Sequence, residues 1–319
     1  MAGVKRTLSV DLNGWMLATP VMIASGCAGT GRELAGLTEA RRIGAIVSRS
    51  ITVRARKGDS TPRIAETPSG VLWSTGLQNP GVEAFVAEEL PRLARTGSPV
   101  IVSIAGGTLE EFVRSTSLLQ GHPDVVAIEV RLSEPDEELR RDVLGLHQDR
   151  AAEIVGAVAR MSLVPVLAKI PAVAPEPAQL ARALVRAGAH GLTLVDSPPA
   201  MGVDTTRLRA ALGPVTGWLS GPAVKPLALR TVFEVADAMP EVPIVASGGV
   251  RTGEDAVEML LAGAWAVQVG VAALVDPAAP VDITRGIASY LKDKGLASPA
   301  DIRGHLRVSA TTGAFGDRP

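Results

Sequence analysis

Residues 242–270 read VPIVASGGVRTGEDAVEMLLAGAWAVQVG. The stretch opens with the short, partly β-branched apolar run VPIVAS (242–247) and a pair of glycines, then passes through Arg251 and Thr252 into GEDAVEMLLAG (253–263). That second run repeats apolar residues at three- and four-residue spacing, begins after a capping-type Thr and ends at a Gly, as helices do. A further apolar run, AVQVG (266–270), follows at once. Strand, helix, strand in so few residues is a βαβ unit, which requires parallel strands buried on both faces. The segment 259–275, MLLAGAWAVQVGVAALV, approaches the length of a membrane span, but Gln268 and two glycines interrupt it, and it reads as helix, turn and buried strand.

Working outward, the same alternation recurs along the chain. Apolar runs lie at 21–25, 45–49, 100–106, 125–130, 164–170 and 190–196, ahead of those at 242–247 and 266–270. Between most of them lie amphipathic stretches such as TLEEFVRSTSLL, DRAAEIVGAVARM, PAQLARALVRAG and ALRTVFEVADAM. Eight strand–helix units predict a (β/α)₈ barrel with one core over residues 1–319, preceded by a short N-terminal β-hairpin. A two-domain doubly wound protein is the alternative.

Composition agrees with a buried parallel sheet. The hydrophobic fraction is 46% but aromatics make up only 3%, so Ala, Val, Leu and Ile must fill the core. Thirty-two basic and 33 acidic residues leave a net charge of −1, with no basic stripe for a phosphate backbone, so nucleic acid is not an expected partner. The single cysteine, Cys27, excludes an internal disulfide and a cysteine-ligated cluster within the chain, and fits a reducing, cytoplasmic setting. No signal-peptide core or membrane segment is expected. His122, His147, His190 and His305 show no ligand spacing, so no metal site is expected.

In a barrel of this kind, function gathers where strands end and βα loops begin. Those positions are rich in small, hydroxyl and charged residues: Ser25 and Gly26, Arg49 and Ser50, Ser103, Arg131 to Asp136, Lys169, Asp196 and Ser197, Ser247 to Gly249, and Gly270. The glycines after the last two strands expose backbone N–H groups next to helix starts, a phosphate-binding arrangement; the alternative is that they only make tight turns. Lys169 ends a buried strand and needs a partner there, because burying an ammonium alone is expensive. The edge of a flavin that gains negative charge on reduction is one such partner.

These segments carry a resemblance. PVMIASG, GAIVSRSIT, LWSTGLQNPGVE, VSIAG, VPVLAKIP, GLTLVDS, LSGPAVKPLALRTVFEVA, the 242–270 stretch and GIASYLKDKG together make the chain similar to the class 1 dihydroorotate dehydrogenases along nearly its whole length. The resemblance implies an FMN-dependent oxidoreductase. FMN is expected at Ala24, Ser25, Gly26, Arg49, Ser50, Ser103, Lys169, Val195, Ser220 and Gly221, with its phosphate at Gly248, Gly249, Gly270 and Val271. The substrate is expected at Arg49, Trp73, Thr75, Gly76, Leu77, Arg131, Asp136, Asp196 and Ser197. The resemblance also implies a homodimer and a separate electron-transfer partner.

The substrate half departs from the family pattern. EVRLSEPD (129–136) stands where the family has ELNISCPN, so Arg131 and Asp136 replace asparagines and Glu134 replaces the cysteine base. Trp73 and Asp196 replace two more asparagines, Arg49 a lysine, and Ser103 an asparagine found in many relatives. Glu134 and Lys169 are the expected catalytic residues, against the alternative that SEPD is a hydrated acidic loop. Arg131 is either a substrate clamp or part of an ion network, and Trp73 either stacks on a substrate or plugs the pocket. Because a site built from paired amides discriminates strongly when its partners change, the expected function is an FMN-dependent oxidoreductase, biosynthetic in role, acting on a substrate other than dihydroorotate. Genuine dihydroorotate oxidation and a non-catalytic homologue are the alternatives.

Overall fold

The computed structural model describes residues 7–33, 43–134 and 142–307. Eight parallel strands close into a barrel. They are β1 (Val21–Ile23), β2 (Ala45–Val47), β3 (Val100–Ile104), β4 (Val125–Arg131), β5 (Val166–Ile170), β6 (Gly191–Leu194), β7 (Ile244–Ser247) and β8 (Ala266–Val269). Each pairs with its neighbours in sequence and β8 returns to β1, with Val267 beside Val21 and Val269 beside Ile23. All eight predicted runs are barrel strands. Apart from the partly buried Val126, their Val, Ile, Leu and Ala side chains are buried because helices cover the outside while opposing side chains fill the inside.

Five helices form where the amphipathic spacing placed them, Leu109–Leu119, Gln148–Met161, Pro177–Ala187, Lys225–Ala238 and Gly253–Leu261, and a further helix, Ala279–Asp293, follows β8. Local chemistry sets their ends. Thr108 accepts from the backbone of Glu111, and Thr252 and Asp255 form a reciprocal capping box. Gly188, at φ 117°, closes the helix Pro177–Ala187 in a conformation other residues adopt only with strain.

The predicted hairpin is present ahead of the barrel, pairing Val10–Asp11 with Met16–Leu17. Sequence periodicity did not indicate a second, four-stranded antiparallel sheet. It joins Ile64–Thr67 and Gly70–Trp73, from the long connection after β2, to Gly217–Ser220 and Pro199–Ala200, from the connection after β6. Its register sets Trp73 opposite Trp218 and Val71 opposite Ser220. Two distant βα connections are thereby fixed to each other at the barrel mouth.

Candidate functional site

The strand-end residues fall into three groups. At the ends of β1 to β3 is a chain of hydroxyls: Ser25 Oγ lies 3.5 Å from Ser50 Oγ, which lies 3.0 Å from Ser103 Oγ, while the Ser103 amide donates to Ser48 Oγ at 3.1 Å. Ala24 donates its amide to the carbonyl of Val269, tying the β1 end to the β8 end. Beside this junction Gly26 has φ 81° and no heavy atom within 4 Å of where a side chain would begin. Gly270 meets only Ala24 Cβ and Cys27 Sγ there, both at 3.8 Å. Burial raises the Cys27 thiol to about 11, with Lys169 pulling the other way, so this cysteine is a packed, protonated side chain rather than a nucleophile.

The second group is ionic. Arg131 ends β4 with its side chain buried; its Nε donates to Asp196 Oδ2 at 2.7 Å and its Nη1 lies 2.8 Å from Glu134 Oε1. Its Nη2 is buried and has no partner among the described residues. Lys169 Nζ sits between Glu129 Oε1 at 3.6 Å and Asp196 Oδ1 at 3.9 Å. Burial opposes ionisation of Asp196, but the fields of Arg131 and Lys169 and the hydrogen bond from Arg131 prevail and hold its carboxyl well below the usual range. Burial opposes the charge of Arg131 too, but Asp196 and Glu134 beside it raise the guanidinium further above its ordinary value.

The third group is aromatic. Trp73 and Trp218 lie with ring centroids 6.4 Å apart, and the Arg131 guanidinium carbon lies 5.9 Å from the first ring and 5.5 Å from the second. Trp73 Nε1 donates to Ser220 Oγ at 2.8 Å, and Ser220 Oγ lies 2.6 Å from Ser197 Oγ. Trp73 is therefore anchored by its N–H and packed against a cation.

Some expected residues stand elsewhere. Arg49 turns to Glu89 at 3.5 Å and to the carbonyl of Gln78 at 3.5 Å, away from the ionic group. Thr75, Gly76 and Leu77 form a loop against Asp59, held through Asn79, which bonds Thr52 and the Leu77 carbonyl. Asp136 lies outside the described residues. Val195 is buried and donates its amide to Ser247, while Val271 opens the short helix Val271–Val275.

The amides of Arg251, Thr252 and Asp255 are taken by the capping box, which leaves the backbone of Gly248–Gly249 and of Gly270–Val271 as candidates for the expected phosphate. A side chain at Gly249 would begin 2.6 Å from the backbone nitrogen of Lys225, so this glycine is required by the close approach of another chain segment. Gly221 is similar, since a side chain there would begin 2.8 Å from Gly70 Cα.

Four residues of the site escaped sequence reasoning. Glu129 is fully buried inside the barrel, where its Oε2 accepts from Thr193 Oγ1 at 2.9 Å and Gln268 Nε2 at 2.8 Å. The fourth is Trp218. Glu129 and Gln268 did carry a signal, being a charge and an amide inside otherwise apolar strand runs. Among the described residues no group of three or more His, Cys, Asp or Glu could hold a metal, and no helix is long and apolar enough to cross a membrane.

A closed eight-stranded parallel barrel with its polar and charged side chains assembled at the carboxyl ends of the strands is an enzyme of the (β/α)₈ class. The chain belongs to the dihydroorotate dehydrogenase family, whose model it matches over residues 7–291. It is 41% identical over 304 residues to the catalytic subunit of dihydroorotate dehydrogenase B (NAD(+)) of Geotalea daltonii, covering 95% of this chain and 99% of that one. The corresponding subunit of Desulforudis audaxviator is 41% identical over 301 residues, covering 94% and 98%. In fold, the chain superposes on a dihydroorotate dehydrogenase of Eimeria tenella, crystallised with ferulenol, with a TM-score of 0.77 at 20% identity, over 93% of this chain and 88% of the other. The chain is thus an oxidoreductase of this family, acting on a CH–CH bond.

These matches overturn the expectation of a substrate other than dihydroorotate: near-complete similarity to dihydroorotate dehydrogenase subunits favours the family reaction. The expectation failed because it took the changed polar residues as decisive, and similarity to the catalytic subunits along nearly the whole chain outweighs them. Arg131 and Asp196 satisfy each other, and the buried Arg131 Nη2 has no hydrogen-bond partner among the described residues.

Proposed function

We propose that this chain oxidises dihydroorotate to orotate with bound FMN, as the catalytic subunit of an assembly that includes an electron-transfer partner. The observation that carries this reading is the 41% identity over 95% of the chain to the catalytic subunit of dihydroorotate dehydrogenase B. The residues present fit FMN: Gly26 and Gly270 leave open space beside the hydroxyl chain, and Lys169 is held short of a direct hydrogen bond by either carboxylate. In this reading Ala24, Ser25, Gly26, Ser50 and Ser103 line the flavin, Lys169 faces its ring, and the backbone of Gly248–Gly249 and Gly270–Val271 takes the phosphate. When bound, FMN would supply the two-electron oxidant for the CH–CH bond of the substrate.

The protein's own part is to orient the ring and take the proton. Arg131 Nη2 is a charged N–H with no partner among the described residues, suited to the carboxylate of dihydroorotate. Trp73 and Trp218 hold the guanidinium in place and exclude water around it. Glu134, whose backbone carbonyl accepts from the Leu144 amide, is the base that receives the proton from C5 as the C5–C6 double bond forms. Electrons leave through a partner because the only cysteine of this chain is Cys27, too few for a cluster of its own.

Steady-state orotate formation tests this reading. The purified protein should produce orotate from dihydroorotate with an artificial acceptor, and Glu134→Gln should lower kcat by about 10² to 10⁴ while FMN stays bound. Absence of orotate from an FMN-loaded wild type would count against the function, and an unimpaired Glu134→Gln against the base.

A further inference from the structure

Glu129 has no part in the chemistry above, yet it is a carboxylate with no exposed surface at the centre of a barrel. Its Oε2 is saturated by Thr193 of β6 and Gln268 of β8. With Glu129 on β4, these three come from alternate strands, the arrangement that makes one layer of a barrel interior. Its Oε1 has no hydrogen-bond partner among the described residues and faces only Lys169 Nζ, at 3.6 Å. Buried ion pairs are poor stabilisers, since well-packed apolar residues of similar volume commonly do as well or better. Stability therefore does not account for a carboxylate, a hydroxyl and an amide here.

The charges nearby make the position consequential. Two cations, Arg131 and Lys169, stand among three carboxylates, Glu129, Glu134 and Asp196, leaving one negative charge in excess. Arg131 is committed by direct contacts to Asp196 and Glu134, so Lys169, which also has Asp196 Oδ1 at 3.9 Å, is the cation that faces Glu129 Oε1 among the described residues.

Resting on the assignment of the flavin to Lys169, we propose that Glu129 is a positioning residue: it holds the Lys169 ammonium at the barrel mouth and sets the electrostatic potential at the flavin. Thr193 and Gln268 fix the carboxylate, the carboxylate restrains the ammonium at 3.6 Å, and the ammonium keeps its N–H groups for the ring. Charge near the reducible ring is one of the means by which a protein tunes a flavin.

The experiment is an anaerobic spectroelectrochemical titration of the holoprotein, wild type against Glu129→Gln, with FMN affinity and the thermal midpoint of the apoprotein measured alongside. Removing a buried negative charge favours the more negative, reduced flavin. The midpoint potential should rise by the equivalent of at least a tenfold change in the equilibrium, about 30 mV for a two-electron couple. An unchanged potential in a folded, FMN-bearing Glu129→Gln protein overturns the proposal, whatever happens to stability. Should that variant fail to fold, Thr193→Val decides. It removes one donor from the carboxylate at nearly constant shape, leaves its negative charge less screened and should shift the potential the other way; no shift overturns the proposal. Failure of the underlying assignment is distinguishable, because the wild type would then bind no FMN at the outset.

Discussion

Arg131 is gripped from three directions: Asp196 and Glu134 hold two of its nitrogens, and two indole rings flank its guanidinium. Removing one member of such a buried pair leaves the other charged and unpaired, which typically costs about 3–5 kcal/mol, whereas removing both does not. Urea denaturation should therefore find Arg131→Met strongly destabilising, and the double variant Arg131→Asn with Asp196→Asn less so than the sum of its single changes. Strict additivity would mean the pair is not coupled. Asp196 also predicts a pH dependence. Its carboxyl is held below the ordinary value, so the stabilisation is fully present above about pH 4 and fades as the pH falls further toward its folded-state value. Asp196→Asn should show a shallower loss of stability below about pH 4 than wild type; parallel curves would contradict the assignment. At this scale the sequence was half legible. Arg131, Glu134 and Asp196 stood out at strand ends, but Glu129 and Gln268 lie inside strands buried on both faces, where no alternation distinguishes a side chain facing the barrel interior from one facing a helix.

The elements themselves were legible wherever their signals were local. Each barrel strand coincides with an apolar run, and the helices Leu109–Leu119 and Gly253–Leu261 with three- and four-residue spacing that begins after a capping Thr. The antiparallel sheet at the mouth was not legible, because it is assembled from strands of two to four residues belonging to connections more than a hundred residues apart, and only tertiary pairing reveals that Trp73 meets Trp218. Junctions between elements also redefine residues that look functional. Gly249 has φ 74° and packs against the start of the helix Lys225–Ala238, whose Lys225 clasps Asp255 and Glu258 of the neighbouring helix. Gly249→Ala should therefore lower the thermal midpoint of the protein even without FMN, because the backbone must shift to admit the methyl group. An unchanged apoprotein midpoint accompanied by lost FMN would instead return Gly249 to the role of a pure phosphate contact.

For the whole molecule, the closed barrel positions residues from β4, β5 and the β6 end so that one ionic cluster forms where the loops gather, and the side sheet walls it with two tryptophans. The fold was legible because eight repeated strand–helix units leave few other closures. The substrate was misread because residues that depart from the family pattern were taken as decisive, although two of them, Arg131 and Asp196, pair with each other at 2.7 Å. Whether that cluster still serves dihydroorotate is decided most directly by mixing the FMN-loaded protein with dihydroorotate in the absence of oxygen and any acceptor, while recording the visible flavin absorption and assaying orotate. The account predicts bleaching of the flavin with formation of one orotate per flavin reduced. A flavin that dithionite bleaches but dihydroorotate leaves oxidised, with no orotate formed, would contradict it.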